Sequence, residues 1–212
     1  MPWPDGIHDY WLFVLTGILL NLTPGQDTFF IIGNSIAHGR RVGIASALGV
    51  CAGCLVHTFA AALGLSAILQ TSSTAFTAIK LAGAAYLVYL GIRAVTSRTV
   101  LSSTEVDGAE IATTVAFWRG ALTNVLNPKV ALFFLALLPQ FIDAESPARI
   151  ESFLFLGFTF IVTGTVWCVI LAVGAAQIRL AFVQRPAAYT WLTRASGALF
   201  IVLGARLAVS DR

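Results

Sequence analysis

The sequence predicts an all-α integral membrane fold: six spanning helices in two inverted three-helix repeats, each repeat opening on a helix broken at proline. Three observations predict it. Of 212 residues, 58% are hydrophobic and 11% charged, and the mean hydropathy is +0.85. An ordinary soluble domain is about 45–50% apolar and about 25% charged. The charges also avoid long stretches, each near the roughly 20 apolar residues that a bilayer-crossing helix needs. Finally, a similar proline-containing element stands at the start of each half of the chain.

The six stretches cover approximately 10–33, 42–69, 74–96, 114–141, 151–177 and 189–209. Short polar hinges separate them: His38-Gly39-Arg40-Arg41, Gln70-Thr71-Ser72-Ser73, Asp143-Ala144-Glu145-Ser146-Pro147 and the segment around Arg185-Pro186. The longest connector, 97–113, carries Glu105, Asp107 and Glu110 and divides the chain into repeat one (about 10–96) and repeat two (about 114–209). No segment outside the apolar stretches is long enough for a second core, so 1–212 reads as a single transmembrane domain. The start, Met1-Pro2-Trp3-Pro4-Asp5, has no basic region ahead of the first apolar stretch, and no small-residue cleavage pattern follows. The first stretch is therefore expected to be a retained helix rather than a signal peptide.

Basic residues divide unequally between alternate loops. Arg40, Arg41, Arg93, Arg98, Arg119, Arg179, Arg185 and Arg194 fall on one side; Arg149, Arg206 and Arg212 fall on the other. The positive-inside rule puts the richer side in the cytoplasm and both termini outside. The net charge of +3 is small and the basic residues are scattered. Nucleic acid, which needs a clustered basic face, is not an expected partner.

The halves resemble each other at three places. Gly17-x3-Asn21-Leu22-Thr23-Pro24 matches Gly120-x3-Asn124-Val125-Leu126-Asn127-Pro128, and Leu48-Gly49 matches Leu156-Gly157. Leu90-Gly91-Ile92-Arg93 matches Leu203-Gly204-Ala205-Arg206. A unit of three spans must re-enter the membrane inverted. Inverted repeats with interrupted helices at matching positions are a transporter signature.

The paired breaks hold the candidate site. Proline deletes one helical hydrogen bond and clashes with the preceding turn; in lipid, the freed backbone groups need partners in protein or in a wet cavity. Asn21, Thr23, Gly25, Gln26 and Asp27 surround Pro24, while Asn124, Asn127 and Lys129 surround Pro128. A simple kink explains one proline but not polar clusters at equivalent points of both halves. Asp27 and Lys129 are the ionisable pair. A charge at the bilayer centre costs roughly 2.5–3.5 kcal/mol even on lenient scales, so such residues face a cavity or each other. A site with Lys129, freed N–H groups and Asp27 complements both the carboxylate and the ammonium of an amino acid. A structural salt bridge between the halves is the plainer reading, and the two are compatible.

Other polar residues in the spans carry paired readings. His57 is a proton relay, given its near-neutral intrinsic pKa, or a packed histidine bonded to the backbone. Lys80 is expected to snorkel to the interface, and Gly49-x3-Gly53 to let helices approach. Cys51-Ala52-Gly53-Cys54 has dithiol spacing and, with His57, spans one helix face, which suggests redox or soft-metal chemistry. Reactive cysteines usually sit at a helix N-terminus or beside a cation, and small cysteines packing mid-helix are the plainer alternative. Cys51, Cys54 and Cys168 all lie in apolar stretches and suggest no extracellular disulfide framework. No nucleotide-binding or hydrolase motif occurs. The expected driving force is therefore a gradient or simple downhill flow, proton antiport with Asp27 as proton carrier being the favoured coupling, and no cofactor is expected.

At Asn21-Leu22-Thr23-Pro24-Gly25-Gln26-Asp27, the Gly-Arg-Arg turn at 39–41 and Asn127-Pro128-Lys129 with Leu138-Pro139-Gln140-Phe141, the chain resembles the lysine-exporter superfamily in its homoserine/threonine-exporter branch. The runs 47–58 and 80–91 extend the resemblance over nearly the whole chain. Gln26 stands where many members have proline, which would soften the first break. The resemblance implies efflux of amino acids, homoserine or homoserine lactone from the bacterial cytoplasm by a multi-pass inner-membrane protein. It carries over Asn21, Pro24, Gly25, Asp27, Asn127, Pro128 and Lys129 as functional positions. Heavy-metal and thiol-electron relatives in the same superfamily keep the cysteine alternative open. Lipid is the expected surroundings, and the small size leaves room for a homodimer.

Overall fold

The computed structural model describes residues 4–65, 73–96, 111–175 and 186–209. The hinge at 70–72, nearly all of the acidic connector and the segment just before Pro186 lie outside the described residues, as does the Lys80 side chain. Among the described residues the structure is helical, and its one extended contact is an isolated bridge between Ile7 and Ile142.

The first apolar stretch forms two helices, α1 (Tyr10–Leu22) and α2 (Gln26–His38), separated at Thr23-Pro24-Gly25. At about 1.5 Å per residue, each is far shorter than a bilayer core. Helix α3 (Arg40–Phe59) follows after Gly39 alone. Gly39 has φ 81°, a left-handed conformation open to glycine at little cost, so the expected four-residue hinge shrinks to one residue. A π-helical turn, Ala60–Leu65, extends α3. Next come α4 (Ser73–Thr96), α5 (Thr113–Val125) and α6 (Pro128–Leu132). Helix α6 continues as a π-helical turn, Phe133–Leu137, and a 3-10 turn, Leu138–Phe141. The chain closes with α7 (Arg149–Val173) and α8 (Pro186–Val209).

In their described residues the predicted apolar stretches are helical apart from the breaks at Thr23-Pro24-Gly25 and Leu126-Asn127 and the bend at Gly174. Two of the described helices, Arg40–Gly64 and Arg149–Val173, are long and apolar enough to cross a membrane alone. Thr113–Val125 with Pro128–Phe141, bent by 47°, makes a third if the pair is one broken span. The surface has the chemistry of a lipid-solvated protein. On α7 the exposed residues Phe158, Val162, Val166, Ile170 and Val173 recur about every four positions, opposite buried Phe153, Leu156, Phe160 and Leu171. A helix apolar on all sides belongs in a core or a membrane.

Two cores hold the helices together. Phe13, Phe133, Phe134, Phe141 and Phe160 form a ring cluster, with Phe133 and Phe160 centroids 4.7 Å apart. A second core gathers Ile31, Ala47, Val50, Cys168 and Leu171. Helices α3 and α5 touch backbone to backbone. A Cβ at Gly49 would meet the Phe117 carbonyl, and one at Gly53 would lie 2.6 Å from the Ala121 oxygen. The close approach expected of Gly49-x3-Gly53 is thus directed at α5. Gly49→Val is expected to abolish a folded product, whereas Gly33→Ala, where a Cβ meets nothing within 4 Å, should leave folding intact. Size-exclusion profiles of the detergent-extracted variants check this.

Outside the helices, residues before α1 pair with the segment after Phe141. His8 N–H donates to the Phe141 carbonyl (3.1 Å), and Asp143 N–H to that of Gly6 (2.8 Å). The Ser146 hydroxyl donates to the Asp5 carbonyl at 2.8 Å. These bonds tie the start of α1 to the end of the second broken element, so the two breaks are fixed relative to each other.

Candidate functional site

The first break follows from Pro24. A helical carbonyl accepts from the N–H four residues on. Leu20 is four residues before a proline that has no N–H, so its carbonyl is left without a donor. Leu19 is served by the Thr23 N–H (3.0 Å) and the Thr23 hydroxyl (2.7 Å). The missing donor for Leu20 comes from the other half of the chain: Lys129 Nζ donates to the Leu20 carbonyl (3.2 Å) and the Thr23 carbonyl (2.9 Å). Gly25 makes room for this, since a Cβ there would stand 3.2 Å from Lys129 Nζ.

The second break is capped from within and bonded outward. Asn127 Oδ1 accepts from the Lys129 N–H at 3.0 Å, with Pro128 at the first helical position, where a missing N–H costs nothing. The Asn127 amide then donates through Nδ2 to Asp27 Oδ2 (2.9 Å), and Asn124 Nδ2 donates to the same oxygen (3.0 Å). Asn124 and Asn127 are each 2% exposed, so these charge-assisted bonds are shielded from competition.

Each break's ionisable residue is therefore held by the other break. Asp27, from the start of α2, ends among the Asn124 and Asn127 amides. Lys129, from the start of α6, ends on the carbonyls of Leu20 and Thr23. Both line one cavity, but no ion pair joins them: among the described residues the ion pairs are those of His8 with Asp9 and Asp143. The plain salt bridge read from sequence is replaced by a crossing. Lys129, expected to face a carboxylate, gives two of its three protons to backbone.

The cavity between the breaks has a volume of about 30 Å³. Asn21, Asp27, Asn124 and Lys129 supply its polar wall. Four polar atoms on its lining side chains are buried without a hydrogen-bond partner: Asn21 Nδ2, Asp27 Oδ1, Asn124 Oδ1 and Trp167 Nε1. Such atoms are rare in folded proteins and mark strain or a place for a ligand. Gln26 and Pro128 are exposed and stand outside the cavity lining, and Thr23, Pro24 and Gly25 shape the break beside it.

Helix α7 supplies a wall that the sequence reading did not assign to the site. Phe160, Gly164, Trp167 and Cys168 line the cavity. A Cβ at Gly164 would lie 3.4 Å from the Asn21 amide, so this glycine lets Asn21 lie against α7. Gly157 and Gly164, two turns apart in an otherwise apolar helix, are the only sequence signal that pointed to it.

His57 and the cysteines complete the surroundings. His57 is buried, its Nε2 lies 3.1 Å from the Asn124 carbonyl, and its ring lies 5.9 Å from that of Phe134. Because a carbonyl only accepts, Nε2 carries the proton in that bond. This is the packed arrangement, one bond behind the Asp27 ligand. Cys51 and Cys54 are buried and free, and both line the cavity. Cys51 packs with Cys168 of α7 in the second core, whereas Cys54 belongs to the first. Among the described residues no group of three or more His, Cys, Asp or Glu is placed to hold a metal ion.

The similarity to known proteins extends over nearly the whole chain. The family described as LysE type translocator matches residues 18–211. A homoserine/homoserine lactone efflux protein of Salmonella typhimurium is 35% identical over 207 residues, 94% of this chain and 96% of the relative. The Salmonella typhi protein of the same description is also 35% identical over 207 residues, with the same coverage. An uncharacterized membrane protein of Vibrio cholerae is 32% identical over 206 residues, 96% of this chain and 98% of the relative. No solved structure matches the chain. With the family pattern running through both breaks and almost to the last residue, this chain belongs to the LysE type translocator family.

Proposed function

We propose that this chain is a secondary-active exporter of amino acids or their close derivatives, homoserine and its lactone among them, across the bacterial inner membrane. The observation that carries the reading is the crossing: Asp27 and Lys129 complete each other's broken helices around a buried polar cavity. The descriptions of the Salmonella relatives support the same cargo. The working form is a six-span, multi-pass arrangement of two inverted units with both termini outside.

The two oxygens of Asp27 suggest how export is coupled to protons. Oδ2 accepts the two asparagine amides and keeps the breaks together. Oδ1 is buried and unpaired at the cavity. A proton and a cargo ammonium group compete for that one oxygen, so loading one displaces the other. Alternating exposure of Oδ1 to the two sides then exchanges outward cargo for inward protons. The small cavity stands for the closed form, since about 30 Å³ holds only two or three water molecules. Cargo entry requires the walls from α1, α2, α5 and α7 to part.

The test is efflux. Cells are loaded with dipeptides that peptidases release as free amino acids, and export is followed by mass spectrometry with and without the protein. The expected result is faster export of a small set of amino acids, homoserine included. Export no faster than from empty-vector cells, with protein present in the membrane, rejects the reading.

A further inference from the structure

We infer that His57 is a positioning residue of the exchange site: its Nε2–H stands in for the backbone N–H that Pro128 lacks, and so holds Asn124 in place for Asp27. This rests on the export reading and adds to that site a residue that acts through Asn124 rather than on the cargo.

Each proline takes a donor away from one carbonyl, four residues earlier. For Pro24 that carbonyl is Leu20, which accepts from Lys129 Nζ at 3.2 Å. For Pro128 it is Asn124. The Asn127 N–H turns back to the Asn124 carbonyl at 2.9 Å and takes one lone pair. A carbonyl oxygen has two, and His57 Nε2 donates to the same oxygen at 3.1 Å. The two clamps are reciprocal. Lys129, beside the second break, serves the first; His57, from the half of the chain that holds the first break, serves the second.

Helix α3 is shaped for this grip. Gly53 lies one turn before His57, and a Cβ there would stand 2.9 Å from Asn124 Cβ and 2.6 Å from the Ala121 oxygen. The glycine brings α3 against the side of Asn124, and the imidazole one turn on reaches its carbonyl. Phe134, on the π-helical turn that continues α6, packs on the imidazole with ring centroids 5.9 Å apart. His57 and Asn124 are both buried, so water does not compete for the bond. From the same Asn124, Nδ2 donates to Asp27 Oδ2 at 3.0 Å. His57 thus fixes the main chain from which that amide reaches the carboxylate. The carbonyl needs only an N–H, so this role involves no gain or loss of a proton by His57.

Glutamine separates this role from a proton relay. Its amide Nε2 stands as many bonds from the Cα as the imidazole Nε2, donates, and does not titrate. Asparagine is one bond shorter, and leucine fills the space without donating. In vesicles carrying equal amounts of protein, His57→Gln is expected to keep export, and its acceleration by an imposed pH gradient, within about twofold of wild type, while His57→Asn and His57→Leu lose about tenfold, the scale of one hydrogen bond. A His57→Gln protein as impaired as His57→Leu, or one whose export no longer rises with the gradient, overturns the inference. A second measurement needs no cargo. Thermal unfolding in detergent of wild type, His57→Leu, Pro128→Ala and the double variant forms a double-mutant cycle. Pro128→Ala restores the N–H that His57 replaces. His57→Leu should therefore lower the unfolding temperature by about 2–4 °C alone and by less than half of that beside Pro128→Ala. Where His57→Leu yields no folded protein, His57→Asn takes its place in the cycle. Equal drops in both backgrounds overturn the inference even where cells export; failed efflux by the wild type, with the coupling intact, removes the export reading alone.

Discussion

Asp27→Asn is expected to leave the protein folded in the membrane and to lower export by roughly a hundredfold, the scale of one or two charge-assisted hydrogen bonds. The substitution keeps the shape and one oxygen, so the Asn124 and Asn127 amides still have an acceptor. What changes is the atom at the position of Oδ1. An amide nitrogen there donates, so it repels an ammonium group, and it cannot take up a proton near neutral pH. Two losses should appear together: export of amine cargo, and acceleration of export by an imposed pH gradient. Vesicles carrying equal amounts of wild-type and variant protein, with the gradient imposed or collapsed, measure both. Export by the variant that still rises with the gradient would sink the assignment of Asp27 as the exchange point.

The second large effect concerns Lys129 and Pro24 as a pair. Lys129→Met leaves the Leu20 and Thr23 carbonyls without their ammonium donor. At about 1–3 kcal/mol for each unsatisfied buried group, the variant should lose roughly 2–6 kcal/mol, a large fraction of an ordinary folding stability. Pro24→Ala restores an N–H four residues after Leu20 and so supplies a donor from within the helix. The double variant should therefore recover about half of the lost stability while remaining inactive, since closing the break removes the site. Thermal unfolding of the four proteins in detergent, read as a double-mutant cycle, gives the coupling directly. If Lys129 served only to meet cargo, the single variant would unfold like wild type and Pro24→Ala would rescue nothing.

Both breaks could be read from the sequence, because proline states its own consequence: a missing N–H, and a carbonyl in need of a partner. The lipid-solvated exterior could be read as well, from apolar residues on every face of α7. The partners of Asp27 and Lys129 could not. Whether the two meet each other or cross to opposite backbones depends on how α2 and α6 are rotated, and hydropathy carries no information on rotation. The packing partners of the C-x-x-C cysteines were hidden for a similar reason. The spacing places Cys51 and Cys54 on one face of α3, but Cys51 packs in the core with Cys168, on a helix more than a hundred residues away, and Cys54 packs in the other core. The π-helical turns at Ala60–Leu65 and Phe133–Leu137 were also invisible, since an extra residue in a turn leaves an apolar pattern apolar. Gln26, drawn into the candidate site by its place in the motif, faces outward, because adjacent helical residues point about 100° apart.

The smallness of the central cavity bears on the cell as much as on the cargo. A membrane stores work as a difference in proton concentration, and any continuous thread of water through a protein discharges it. Here the crossing point of two interrupted helices, where backbone bonds are fewest, is stitched shut by an ammonium on one side and a carboxylate on the other. On the proposed export cycle, the same contacts that loosen for each molecule exported are the electrical insulation between turnovers.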